Sequence, residues 1–198
     1  MLRYTQCKVK NNESKDIVDL IKLAKKGDGE AFGYLYNEFY THVYRYIYFR
    51  VGSWSSETAE DITQEVFLKA YNSFKNYSYS GTSPLAYFYT IARNILIDKG
   101  RKKKLTIERL DLKDTDIEEI PDESETRLEQ NIREEKENDL HSTIHQLPKD
   151  QQDVIILKFI DGLSNTEISK VLQKSEVAIR QLQSKGLKSL RKILNKYE

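Results

Sequence analysis

Apolar residues recur along this chain at intervals of three and four, strand-like alternation is nearly absent, and the pattern predicts helices almost throughout. A first helix is expected from Ser14 to Lys26, with Ile17, Leu20, Ile21 and Ala24 on one face and Gly27 as its stop. A second opens near Asp28, turns Phe32, Leu35, Phe39, Val43 and Ile47 inward, and ends before Gly52. A third follows Ser55 or Ser56 and carries Ala59, Ile62, Val66 and Ala70 as its stripe. The fourth has the clearest start, because Ser83 suits the N-cap and Pro84 the first helical position, where no amide hydrogen is needed. Leu85, Phe88, Ile91, Ala92 and Ile95 form its buried side.

After Arg101-Lys102-Lys103-Lys104 apolar density falls, and Pro121 among many acids marks a connector. Periodicity resumes near Leu128 and runs through Ile132, Leu140, Ile144 and Leu147 to Pro148, which breaks a helix or starts one. Val154, Ile155, Leu157 and Ile160 define a further helix with Gly162 as its stop. Ser164-Asn165-Thr166-Glu167 has the form of a capping box, in which serine and glutamate each satisfy an orphan amide. A short helix with Ile168, Val171 and Leu172 follows, and Ser175 can cap a last one with Ile179, Leu182, Gly186, Leu190 and Ile193 inward. The expected fold class is all-α: two small helical domains, 14–104 and 128–198, joined by an acidic linker 105–127 and preceded by a tail 1–13.

Charge sharpens this division. The 198-residue chain has a formal net charge of +1, yet between Glu108 and Asp139 it holds 14 acidic against 5 basic residues, a net of −9, which leaves +10 elsewhere. Basic bodies attract polyanions by releasing condensed counterions, whereas an acidic strap is repelled by phosphates. No apolar run approaches the roughly 20 residues of a membrane span, and the start has no apolar signal core, so a cytoplasmic site is expected. Cys7 is the only cysteine, which leaves neither an internal disulfide nor a cysteine-cluster zinc site. His141 and His145 stand one helical turn apart without an evident third ligand and read as surface histidines, so no metal or cofactor is expected. No Gly-rich phosphate loop is present, and an enzyme reading has little support.

Three constellations carry candidate chemistry. The last two helices have helix-turn-helix spacing, in which the second enters a major groove by its N-terminal part. Ser175, Glu176, Ala178, Arg180, Gln181 and Ser184 are then candidates for base edges or phosphates, and Lys174, Lys185 and Lys188 for the phosphate backbone. The same pair of helices also suits plain bundle packing. Glu57, Asp61 and Glu65 fall at four-residue steps, where like charges repel by about 0.2–0.5 kcal/mol per pair. That stripe is either a solvated face, eased by the dipole at the helix start, or a dock for a basic helical surface. Between Phe74 and Lys104, Tyr77, Tyr79, Tyr87 and Tyr89 precede Arg93, Asn94, Lys99 and Arg101. Aromatic faces hold unpaired bases for roughly 1–3 kcal/mol each while cations follow the phosphates, although such rings also make cores. The loop from Tyr77 to Ser83 is the better candidate for wrapping an extruded base.

At these residues the chain closely resembles the extracytoplasmic-function sigma factors of the sigma-70 family. GDGEAFGYLYNEFYTHVYRYIYFRVG running into AEDITQEVFLKAY is similar to conserved region two, YTIARNILIDKGRKKK to the segment that recognises and melts the minus-ten element, and LPKDQQDVIILKFIDGLSNTEISKVLQKSEVAIRQLQSKGLKSLRKIL to region four, the minus-thirty-five reader. The resemblance implies a non-catalytic protein that directs bacterial RNA polymerase to promoters. It implies that Asp61, Gln64, Glu65 and Phe67, with Glu57 on the same stripe, meet the clamp helices of the beta-prime subunit. It assigns Tyr87, Tyr89, Arg93, Asn94 and Asp98, with Arg101 and Lys102 at the basic end, to promoter melting. The implied partners are core polymerase, duplex and single-stranded promoter DNA, and an anti-sigma factor. The segment opens Ala86-Tyr87-Phe88 where the family usually has a Trp-Leu-Phe-like start, and Val177 stands where the reading helix often has glycine. The rival readings are a stand-alone helix-turn-helix regulator and a helical interaction adaptor without DNA affinity.

Overall fold

The computed structural model describes residues 13–51, 56–79, 83–109 and 140–195. The expectations for Cys7, for positions 80–82 of the loop from Tyr77 to Ser83, for the acidic connector beyond Arg109 and for Leu128 and Ile132 lie outside these residues. Among the described residues the regular structure is helical and no strand occurs. The first body contains α1 (Glu13–Lys25), α2 (Gly29–Val51), α3 (Ser56–Ser73), a 3-10 turn (Phe74–Asn76) and α4 (Leu85–Arg109). α4 continues past Lys104, where the first domain was expected to end.

Local chemistry sets these boundaries. Gly27, at φ 92°, takes the left-handed turn that ends α1. One residue later the Asp28 carboxylate accepts the Ala31 amide at 3.0 Å and opens α2. Ser83 Oγ accepts the Leu85 amide at 3.3 Å, so serine and proline start α4 as their order predicts. The helices close on aromatic rings. Phe88 is fully buried, with ring centroids 5.0 Å from Phe67, 5.4 Å from Phe39 and 6.4 Å from both Phe32 and Phe74. Such edge and tilted ring pairs contribute about 0.5–1.5 kcal/mol beyond their area burial.

The second body begins with helical residues 140–145, followed by α5 (Lys149–Ile155), a π-helical turn (Ile156–Ile160), α6 (Asn165–Leu172) and α7 (Glu176–Leu194). Its core is aliphatic: Ile144, Leu147, Val154, Ile155, Ile156, Leu157, Leu163, Ile168, Val171, Leu172 and Ile179. α5 and α7 approach at Gly186, where an added Cβ would sit 2.9 Å from Ile155 Cγ1. Gly162, at φ 75°, releases the chain from the π-helical turn. The capping box forms in full: Ser164 Oγ accepts the Glu167 amide at 3.2 Å and Glu167 Oε2 accepts the Ser164 amide at 2.9 Å. The turn between α6 and α7 lacks the usual glycine, and Gln173 itself adopts the left-handed conformation at φ 53°.

The two bodies pack together, α4 against α6 and α2 against the π-helical turn. This contact corrects the reading of His141 as a surface histidine. Its Nε2 lies 2.9 Å from the Tyr48 carbonyl and its ring packs on Tyr48 and Phe49, because residues 140–145 are applied to the end of α2.

Candidate nucleic-acid interface

α3 presents an outward stripe of Glu57, Asp61, Gln64, Leu68 and Tyr71, all exposed and spaced four, three, four and three residues apart. It is acidic at its N-terminal end and apolar at the other, with Leu68 62% and Tyr71 49% exposed. Leu68 and Tyr71 escaped the sequence reading, although their spacing continues the acidic stripe. Glu65 and Phe67 lie off this face. Phe67 is buried, its ring 4.6 Å from Tyr36 and 5.0 Å from Phe88. Glu65 is bonded to Lys69 at 3.1 Å and to Lys99 of α4 at 3.0 Å. Burial pushes its carboxyl up, but the hydrogen bonds from Lys99 and Lys69 outweigh burial and hold it below its ordinary value.

The aromatic set of α4 and its preceding loop divides by depth. Tyr79 is exposed, whereas Tyr77 stacks on Phe74 with centroids 5.3 Å apart, and Tyr89 is fully buried. Burial, then the neighbouring Tyr79 and Tyr87, pushes the Tyr77 phenol up to about 12. Tyr87 is half-buried, with its hydroxyl 2.7 Å from Ser73 Oγ. Further along, Asn94, Asp98, Arg101 and Lys102 are exposed, and Asp98 accepts from Arg101 at 2.8 Å. Arg93 instead turns toward the second body.

In the second body the capped start of α7 projects away from the core. Ser175 Oγ accepts the Ala178 amide at 3.3 Å, leaving Val177, Arg180, Gln181, Ser184 and Lys185 exposed. Glu176 accepts from Thr166 Oγ1 at 2.8 Å, which ties the two helices of the motif together. Ala178 is half-buried, and Lys174 in the turn lies 3.1 Å from Asp150.

Charged groups fill the seam between the bodies, and of these Arg45, Arg50, Asp150, Asp153 and Asp161 are absent from the sequence reading. Arg50 Nε sits 2.6 Å from Asp153 Oδ1, both side chains buried, and the Arg50 guanidinium also donates to Gln152 Oε1 at 2.7 Å. Tyr46 donates to Asp153 at 2.7 Å; burial and then the Asp153 charge push its phenol well up. Arg93 Nε donates to Asp153 Oδ2 at 3.3 Å, and Arg93 pairs with Asp150 at 3.5 Å. Arg45 Nε donates to Asp161 at 3.0 Å, and the Ser83 amide to Glu167 at 3.3 Å.

The arrangement, one body with an acidic helical stripe beside an aromatic and basic helix and a second with a capped helix-turn-helix, coincides with two family matches. Sigma-70 region 2 matches residues 35–106 and Sigma-70, region 4 matches residues 137–190. The ECF RNA polymerase sigma factor BldN of Streptomyces coelicolor is 34% identical over 185 residues, 93% of this chain and 68% of the relative. The chain belongs to the extracytoplasmic-function sigma factors. The ECF RNA polymerase sigma factor SigX of Bacillus subtilis is 31% identical over 164 residues, 82% of this chain and 83% of that one.

Two solved structures share the fold of this sigma factor: CnrH in complex with the cytosolic domain of CnrY, with a TM-score of 0.67, 18% identity and coverage of 92% and 99% of the two chains, and the sigma factor RpoE of Bartonella quintana in complex with the anti-sigma factor NepR, with a TM-score of 0.58, 17% identity and coverage of 93% and 97%. The protein is thus a promoter-recognition subunit for RNA polymerase in transcription initiation. No described helix is long and apolar enough to cross a membrane.

Proposed function

We propose that this sigma factor docks on the clamp helices of the beta-prime subunit through the outward stripe of α3, captures unpaired minus-ten bases with the aromatic and basic side of α4, and reads minus-thirty-five duplex with α7. Glu57, Asp61 and Gln64 face the clamp, joined by Leu68 and Tyr71. Glu65 and Phe67 act from behind, one tying α3 to α4 and the other holding α3 on the core. Tyr79, Tyr77 and Tyr87 supply ring surface, and Tyr89 supports them from the core. Arg93, Asn94, Arg101 and Lys102 follow the melted strand, with Asp98 orienting Arg101. Lys174 and Lys185 grip phosphates, while Glu176, Arg180, Gln181 and Ser184 meet base edges from a helix positioned by Ser175 and Ala178. The domain limits 14–104 and 128–198 and the acidic linker 105–127 belong to this reading.

Free energy for strand opening comes from base capture and polymerase contacts, so no hydrolytic or other catalytic step is assigned. The protein acts in the cytoplasm, and an anti-sigma factor is a proposed partner, by likeness to the Bartonella quintana protein solved with one. The observation that carries the reading is the pairing, on one chain, of an exposed acidic-to-apolar helical stripe with an exposed, capped reading helix. Mixing the chain with core polymerase and promoter DNA tests it. The expected outcome is a chain that co-elutes with core and renders promoter thymines reactive to permanganate, with Glu57→Lys/Asp61→Lys lowering core affinity by about tenfold or more. Tight duplex binding without core binding supports an independent regulator instead, and absence of DNA affinity even at low salt supports an adaptor.

A further inference from the structure

The outward face of α7 is polar near its start except at one position. Val177 is 56% exposed. Nine residues, about two and a half turns, separate it from the buried Gly186, so it points directly away from the core. Steps of seven and eleven residues, about two and three turns, lead from it to Ser184 and Lys188 on the same exposed line, with Arg180 and Gln181 on either side. The first turn is held at both neighbours of the valine. Ser175 Oγ accepts the Ala178 amide at 3.3 Å, and Glu176 accepts from Thr166 Oγ1 at 2.8 Å. A β-branched side chain keeps one strongly preferred rotamer in a helix, so the Val177 methyl groups are presented with little freedom left to lose. A lone exposed valine on an ordinary surface needs no account. This one stands at the centre of the face assigned to duplex, where Arg180, Gln181, Ser184 and Lys188 can all hydrogen-bond and it cannot.

We propose that Val177 reads thymine, its methyl groups meeting the C5-methyl of the base in the major groove, and so sets a preference for thymine at one base pair of the minus-thirty-five element. The inference rests on the proposed reading of duplex by α7. The C5-methyl of thymine is the apolar group that base edges offer in the major groove. A valine gains from it what the other bases do not supply, and against the amino group of adenine or cytosine it would cover a donor without bonding it. Glu176 is engaged by Thr166 and lies 3.9 Å from Arg180, which leaves Val177 as the first-turn side chain that meets a base through apolar contact. Arg180 stands one turn further on, with about 5–6 Å between Cβ atoms, and successive base pairs rise about 3.4 Å. The thymine therefore lies within about two base pairs of the position that Arg180 reads.

The test uses the full chain assembled with core polymerase. Promoter duplexes are selected by the unmodified complex from a pool randomised over the minus-thirty-five element, and each thymine of the recovered element, on either strand, is replaced in turn by deoxyuridine, which lacks only the C5-methyl. One replacement is expected to weaken binding about fourfold, the gain from one methyl group removed from water. Its place is expected within about two base pairs of the position where Arg180→Gln loses discrimination. Val177→Ala is expected to bind the thymine duplex about fourfold more weakly and to treat thymine and deoxyuridine alike. Val177→Ile, which keeps the branched methyl, is expected to retain the preference. Because Val177 is exposed, the urea midpoint of Val177→Ala is expected to stay with the unmodified chain, which separates lost recognition from lost folding. A recovered element without thymine, indifference to every deoxyuridine, or a thymine preference that persists in Val177→Ala overturns the proposal. Each of these leaves α7 as the duplex reader as long as other base changes in the element alter binding. Indifference to every base of the element overturns that reading as well.

Discussion

The first body is packed with rings and the second with branched aliphatics, and the candidate DNA residues sit differently in each. Phe32, Phe39, Phe67, Phe74 and Phe88 meet at the centre of the first, and Tyr77 and Tyr87 of the candidate set stack directly on that cluster. In the second, the buried residues of α7 are Ile179 and Gly186, and the candidate reading residues project from the opposite side. A residue that both holds the core and touches DNA cannot be changed for one purpose alone. On the proposed DNA faces, recognition in the first body is therefore coupled to stability, and in the second it is separable.

The largest effect that tests this contrast is expected from Phe88→Ala, which removes the ring shared by Phe32, Phe39, Phe67 and Phe74. A loss of about 3–5 kcal/mol is expected in denaturant unfolding, together with loss of single-stranded DNA binding. A midpoint close to the unmodified chain would remove the aromatic hub from the account. Gly186→Val probes the second body from its inner side. The Cβ alone would stand 2.9 Å from Ile155 Cγ1, so overpacking of about 1–3 kcal/mol is expected, read as a lowered urea midpoint.

A smaller pair sharpens the contrast between the two candidate DNA faces. Ser73 Oγ donates to the Lys69 carbonyl at 2.6 Å, so the Tyr87 hydroxyl is the donor in its bond to Ser73. Tyr87→Phe keeps the ring and loses that bond, for an expected loss of about 1 kcal/mol in thermal unfolding. Arg180→Gln touches an exposed side chain 3.9 Å from Glu176 and is expected to change stability by less than about 0.5 kcal/mol. Its effect is expected in duplex binding, where loss of a base contact weakens discrimination by roughly 1–3 kcal/mol. Equal stability changes in the two variants would erase the distinction between the bodies.

Helix limits were legible because caps are local chemistry. Gly27, Asp28, Ser83, Gly162, the Ser164–Glu167 box and Ser175 each act within about three residues of themselves. Depth was less legible. Phe67 and Leu68 are adjacent and both apolar, yet one is buried and the other 62% exposed, since a single residue rotates the side chain by about 100° around the helix. Tyr89, which the resemblance assigns to promoter melting, lies at the bottom of the core, because Tyr46 of α2 and Asp161 of the second body close over it. The seam was not legible at all. Asp153 looks like one more polar residue in KDQQDVI, and only its separation of 103 positions from Arg50, closed by tertiary folding, brings it to 2.6 Å.

The smallest effect concerns the turn that aims α7. Gln173 holds φ 53° and ψ 42°, where a side chain costs about 1–2 kcal/mol and glycine costs nothing. Glycine there also enlarges the freedom of the unfolded chain, which takes back about 0.4–1 kcal/mol. Gln173→Gly is therefore expected to stabilise the second body by about 0.5 kcal/mol, a slight rise in urea midpoint. Gln173→Val is expected to shift the other way, because a β-branched side chain tolerates the left-handed region poorly. Gln173 is exposed and outside the reading face, so duplex binding by the glycine variant should match the unmodified chain. If that binding falls while stability rises, the turn's stiffness contributes to recognition, and stability and DNA reading are coupled in the second body as they are in the first.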